Sequence, residues 1–184
     1  MLRFVRPMLA AAAYAGLLAG TVLAYPVDPD QPAVILNNAE VPGVVDKLIV
    51  RRDYSGALRL IDEGLKANPH AAQLRFQRCV TYERMSDRAG AQRCLEQFIL
   101  TYPEIPEPYN NLAGTYSRDG RLDEAEQLLV KAIALRPDFS LAHANLGNLY
   151  LARAKNAYKS AISTGGGNQT LKAKVEAIDN LLAQ

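Results

Sequence analysis

Apolar and small residues recur along most of this chain at one fixed stride. Ala57, Ala91 and Ala125 stand 34 residues apart, and so do Pro69, Pro103 and Pro137. Tyr82, Tyr116 and Tyr150 keep the same step, with Leu48 one stride earlier. Ile61, Leu95 and Leu129 make another ladder, and Cys79, Ala113 and Gly147 one of small residues. Self-similarity at a constant period marks stacked repeats. In the clearest copy, Tyr109, Leu112, Ala113 and Tyr116 fall on one helical face. Asp119-Gly120 then breaks the helix, and Asp123 and Glu124 place acids in the first turn of the next. Ala125, Leu128, Leu129, Ala132 and Ile133 form the apolar stripe of that second helix, and Pro137 stops it. One such hairpin cannot bury its own apolar face, whereas stacked neighbours can.

The stride divides the chain into units at 38–71, 72–105 and 106–139, with a truncated unit at 140–163. In the truncated unit NLGNLYLAR runs straight into AKNAYKSAI, and about five turn residues are missing. Leu146, Tyr150, Ala154, Ala157 and Ala161 form one unbroken stripe, which predicts a single helix from Ser140 to Ser163. Gly165-Gly166-Gly167 ends it. A hinge and capping helix fill 164–184, with Leu171, Val175, Ile178 and Leu182 on one face.

The third unit, YNNLAGTYSRDGRLDEAEQLLVKAIALRP, resembles the tetratricopeptide repeat family, and the likeness runs from about Asn38 to Ile162. The second unit departs from it: Arg75 and Arg78 stand where a large aromatic and a leucine are usual, and Phe98 replaces a small residue. Either that unit packs loosely or the arginines lay their stems on the core with their heads in water. The first unit keeps only the aliphatic marks of VPGVVDKLI, so its opening helix should be short. The resemblance implies an all-α fold: a short right-handed α-solenoid of about three and a half helix-turn-helix repeats, with a long fused helix and a C-terminal capping helix. It implies a protein or peptide partner held in a concave groove lined by the first helix of each unit. Carried across residue by residue, that groove contains the ladder Gln77, Asn111 and Asn145 and the ladder Arg84 and Arg118, with Phe76, Asn110 and Asn148 nearby. Amides suit the donors and acceptors of an extended peptide, and arginines fork onto carboxylates. Asn111 and Asn145 have an equally physical reading as struts between helices. The lysine-rich clamp that some family members use for a terminal carboxylate is absent.

The amino-terminal segment changes the charge picture. Arg3 and Arg6 precede an apolar run from Met8 to Ala24, and Val22 and Ala24 put small residues at the spacing of a signal-peptidase site. The expectation is a signal peptide at 1–24 cleaved after Ala24, then a Pro-rich linker at 25–37. An uncleaved anchor would be the one membrane attachment. No cysteine lies at the junction to carry a lipid. The whole chain has 21 basic and 19 acidic residues; without Arg3 and Arg6, and with no acid lost, 19 face 19. A neutral remainder carries no electrostatic footprint for nucleic acid. Export places the chain in the periplasm or outside the cell, and the alanine-rich leader suits a bacterium.

Cys79 and Cys94 flank the turn near Ser86-Asp87 at equal height on two antiparallel helices. Helix axes ~8–10 Å apart leave a gap a disulfide spans, so a bond and a pair of buried thiols both fit. His70 and His143 are not at metal-ligand spacing, and no Gly-Lys-Ser/Thr follows the glycine run. Asn168-Gln169-Thr170 matches a glycosylation acceptor, relevant in a eukaryotic host. No nucleophile–base or paired-carboxylate arrangement stands out. The chain reads as a non-enzyme without cofactor, metal or small-molecule substrate; the alternative is a self-associating structural subunit, as a homodimer.

Overall fold

A computed structural model describes residues 23–25, 34–166 and 168–183. The leader expected at 1–24 lies outside them except for Leu23 and Ala24, as do most of the linker and Gly167. Leu23–Tyr25 (β1) pairs antiparallel with Val34–Leu36 (β2), Ala24 opposite Ile35. All else regular among the described residues is helical: Val41–Val50 (α1), Tyr54–Ala67 (α2), Ala72–Arg84 (α3), Arg88–Thr101 (α4), Pro106–Arg118 (α5), Leu122–Leu135 (α6), Ser140–Ala161 (α7) and Gln169–Leu182 (α8). The helices pack in adjacent pairs, and each pair packs on the next, making the all-α solenoid read from the stride.

Two of the ladders line its interior. Ala57, Ala91 and Ala125 are buried, as are Ile61, Leu95 and Leu129. Three apolar clusters follow one another along the stack: Val41, Val45, Leu60 and Leu74 at the start, Cys79, Leu95, Phe98 and Leu112 in the middle, and Tyr109, Ala113, Leu129 and Leu149 at the end. Gly64 lies against the first; a Cβ there would stand 2.6 Å from Leu74 Cδ1, so any larger residue would push the Leu74 side chain aside.

Each turn is built from its own chemistry. Asp53 and Asp87 accept the backbone N–H of Gly56 and Gly90, both at 2.9 Å, capping α2 and α4. Before α6 no side chain caps; Gly120 supplies the left-handed residue (φ 77°), and Asp123 and Glu124 face the helix dipole. The corresponding position of the last unit is Ala154, followed by Lys155 instead of a capping acid. With neither signal α7 runs on for 22 residues. It ends where Gly165 adopts φ 91°, and α8 folds back along it, burying Ile178 and pairing Asp179 with Lys155.

Gly147 and Tyr150 inherit slots that are packed in earlier units, yet no second helix of their own unit faces them. A Cβ on Gly147 would meet nothing within 4 Å, and Tyr150 is 48% exposed. Among the described residues no helix is long and apolar enough to cross a membrane.

Candidate functional site

The first helices of successive units, α1, α3, α5 and α7, are joined by a seam of polar side chains. Gln77 on α3 is buried and donates from Nε2 to Pro42 O at 2.9 Å and to Asp46 Oδ1 at 2.6 Å on α1. Its Oε1 is buried without a partner. At the next junction, Asn111 on α5 donates to Glu83 Oε2 on α3 at 3.0 Å. Arg118 stands 3.8 Å from the other Glu83 oxygen and anchors its Nε on Gly114 O. Asn145 on α7 then donates to Asn110 Oδ1 at 2.8 Å, and the Asn110 amide contacts Asn111 Oδ1 at 3.4 Å. Glu83, Asn111, Asn110 and Asn145 thus form one chain of contacts across three helices.

Burial sorts the eight residues that the repeat pattern placed in the groove. Gln77 and Asn110 are 6% and 4% exposed and hold helix to helix. Phe76 is half-buried, its ring 5.6 Å from that of Phe98. Asn111 and Asn145 are half-buried struts, each spending its amide N–H on a neighbouring helix. Arg84, Arg118 and Asn148 remain open to solvent. They share this flank with Gly114, mid-helix in α5, where a Cβ would meet nothing within 4 Å. A glycine inside a helix costs about 0.5–1 kcal/mol relative to alanine. Neither packing nor backbone angle asks for it here, and its carbonyl receives the Arg118 Nε bond.

Glu83 is the residue the repeat pattern missed. Only its place beside Arg84, on the helix face turned to Asn111, hints at it in the sequence. Burial, the largest influence, raises its carboxyl above the ordinary value, while the bond from Asn111 and the charges of Arg118 and Arg84 pull the other way. With Ser86, Arg88, Ala91, Thr115 and Arg118 it lines a small hollow of about 120 Å³ between the second and third units.

A second ladder, at the fourth residue of each unit, ties the units together by different chemistry at the same place. Arg75 Nε donates to Pro69 O at 2.8 Å, Tyr109 OH to Pro103 O at 3.0 Å, and His143 Nε2 lies 2.9 Å from Pro137 O. His143 is therefore a strut to the preceding unit. Cys79 and Cys94 are joined in a disulfide, S–S 2.07 Å and Cα–Cα 5.3 Å, tying α3 to α4. A bridge closing a loop of this size contributes ~3 kcal/mol. Among the described residues no cluster of three or more His, Cys, Asp or Glu is placed to hold a metal.

Residues 109–141 match the sequence profile of the tetratricopeptide repeat. That stretch, from α5 to the start of α7, forms a tetratricopeptide repeat. Its fold is similar to that of PilF of Pseudomonas aeruginosa, at 17% identity and a TM-score of 0.57 over 77% of this chain and 67% of that one. It is also similar to MamA of Desulfovibrio magneticus, at 20% identity and 0.53 over 80% and 78%. The second such domain of human RPAP3, solved with an HSP70 peptide, superposes at 18% identity and 0.54 over 61% and 94%. In this repeat protein the long α7 and the returning α8 stand in place of a fourth complete hairpin.

Proposed function

We propose that this repeat protein is a non-catalytic scaffold that holds a protein or extended peptide on the flank shared by α3, α5 and α7. The observation that carries the reading is the division of labour on that flank. Gln77, Asn110, Asn111 and Asn145 lock the first helices in register, and the side chains of Arg84, Arg118 and Asn148 stay exposed above them, Arg118 steadied by Gly114 O and Glu83. Rigid helices presenting exposed guanidinium and amide groups suit a partner with carboxylates and an exposed main chain. A similar fold, the RPAP3 domain, carries an HSP70 peptide in its solved structure, which supports the same use of the fold here.

The leader read at 1–24 supports a place in the cell envelope, as a periplasmic or secreted chain. Removal after Ala24 takes Leu23 and Ala24 from the strand pair but leaves Leu36, buried in the first apolar cluster.

The test is a pull-down of partners from cell envelopes with the wild-type chain and the double variant Arg84→Ala/Arg118→Ala. Both arginines are exposed, so helical circular dichroism should be unchanged. Recovery of the partner should fall about tenfold or more, as lost charge-assisted bonds of ~1.5–3 kcal/mol imply. Equal recovery by the two proteins removes this flank from the function.

A further inference from the structure

A cleft of about 540 Å³ opens between the end of α2 and the α3–α4 hairpin. The α3 residues lining it are Arg75, Arg78, Cys79 and Tyr82. At about 100° per residue they lie roughly half a turn from Gln77 and Arg84, so the cleft is not part of the groove. Its origin is visible in the sequence. Where the third unit fills its junction with Tyr109 and Leu112, the second carries Arg75 and Arg78. Arg75 folds back onto Pro69 O and Arg78 reaches out to Asp62, so neither fills the space between the units.

The walls have two characters. Leu65, Phe98, Tyr102 and the disulfide supply an apolar side. Of its three guanidiniums, that of Arg78 is already paired with Asp62, and those of Arg75 and Arg93 face one lining carboxylate, Asp87, itself engaged in capping Gly90. Arg93 makes no hydrogen bond or ion pair with any described residue.

We propose that this cleft is a second binding site, independent of the groove, that takes a short acidic peptide segment. Side-chain carboxylates of the segment fork onto the guanidiniums, and one apolar side chain lies against Phe98 and Tyr102. The volume falls in the range of ~300–1,000 Å³ typical of ligand pockets, far more than a bare ion needs. Asp87 in the lining disfavours a doubly charged phosphate more than it does a carboxylate.

Isothermal titration of the full chain with the end-blocked pentapeptide Glu-Leu-Glu-Phe-Glu, and with its Gln-Leu-Gln-Phe-Gln counterpart, tests the proposal. The acidic peptide should bind one to one, and the neutral one at least about tenfold more weakly. Arg93→Gln, at an exposed and unpartnered position, should weaken the acidic peptide about tenfold, which is ~1.4 kcal/mol. The groove variant Arg84→Ala/Arg118→Ala should bind it as the wild type does, so failure here is distinct from failure of the groove. Absence of saturable binding, equal affinity for both peptides, or loss in the groove variant with retention in Arg93→Gln overturns the proposal. So does displacement of the peptide by equimolar inorganic phosphate.

Discussion

Glu83 sits where α3 meets α5, with its carboxylate tied to Asn111 and watched by Arg84 and Arg118. Its unfolded value is 4.5 and its folded value is higher. Between the two the native state binds more protons than the unfolded one. The contribution of this group to stability is therefore full below 4.5 and is lost as pH rises through the folded value. Glu83→Gln keeps an acceptor for Asn111 and cannot ionise. Denaturant melts across the acid range should show the wild type losing stability relative to Glu83→Gln as pH rises. A constant difference between the two would mean that Glu83 is effectively solvated. At this scale the sequence was only partly legible. The stride located Gln77, Asn111 and Asn145 but could not say how deeply each is buried. Whether an amide at one slot is strut or ligand depends on the neighbouring helix: Asp46 receives Gln77, Glu83 receives Asn111, and Asn110 receives Asn145.

Elements were more legible, because their signals are local. The absence of a breaker between Leu146 and Ala161 is enough to fuse two helices into α7, and Gly165 is enough to end it. The first two turns hold a further lesson. Arg52 and Ser86 occupy the left-handed position filled by glycine in the third, at φ 63° and 62°. Side chains there are strained by ~1–2 kcal/mol, part of which glycine returns through its freer unfolded chain. Ser86→Gly should raise stability by about 0.5–1 kcal/mol, read as a higher urea midpoint at unchanged slope. A lower midpoint would show that Ser86 has a contact outweighing the strain. The strand pair Leu23–Tyr25 with Val34–Leu36 had no such signal, since three residues a side carry too little alternation to read.

Over the whole molecule, stability is spread along the stack by nearest-neighbour contacts. The third unit shares a dense cluster with α7, whereas α8 buries only Ile178 among its own residues. Hydrogen exchange should therefore protect amides of α5 and α6 most and those of α8 least; equal protection of α8 would mean it docks more tightly than its burial implies. The overall architecture was legible because periodicity is repeated evidence: the ladder of Ala57, Ala91 and Ala125 predicts burial three times over, and all three are buried. The cleft at Arg75 and Arg78 was legible only as a departure from the pattern, since its volume depends on where two arginines turn.

The claim that joins these scales is that a partner lies on the flank of α3, α5 and α7. Site-specific photocrosslinking in cells tests it most directly, with p-benzoylphenylalanine placed in turn at Gly114, at Asn148 and at Leu100, which is exposed on α4. The account predicts the same partner captured from positions 114 and 148 and not from 100. Capture from 100 alone, or different proteins from 114 and 148, would contradict it.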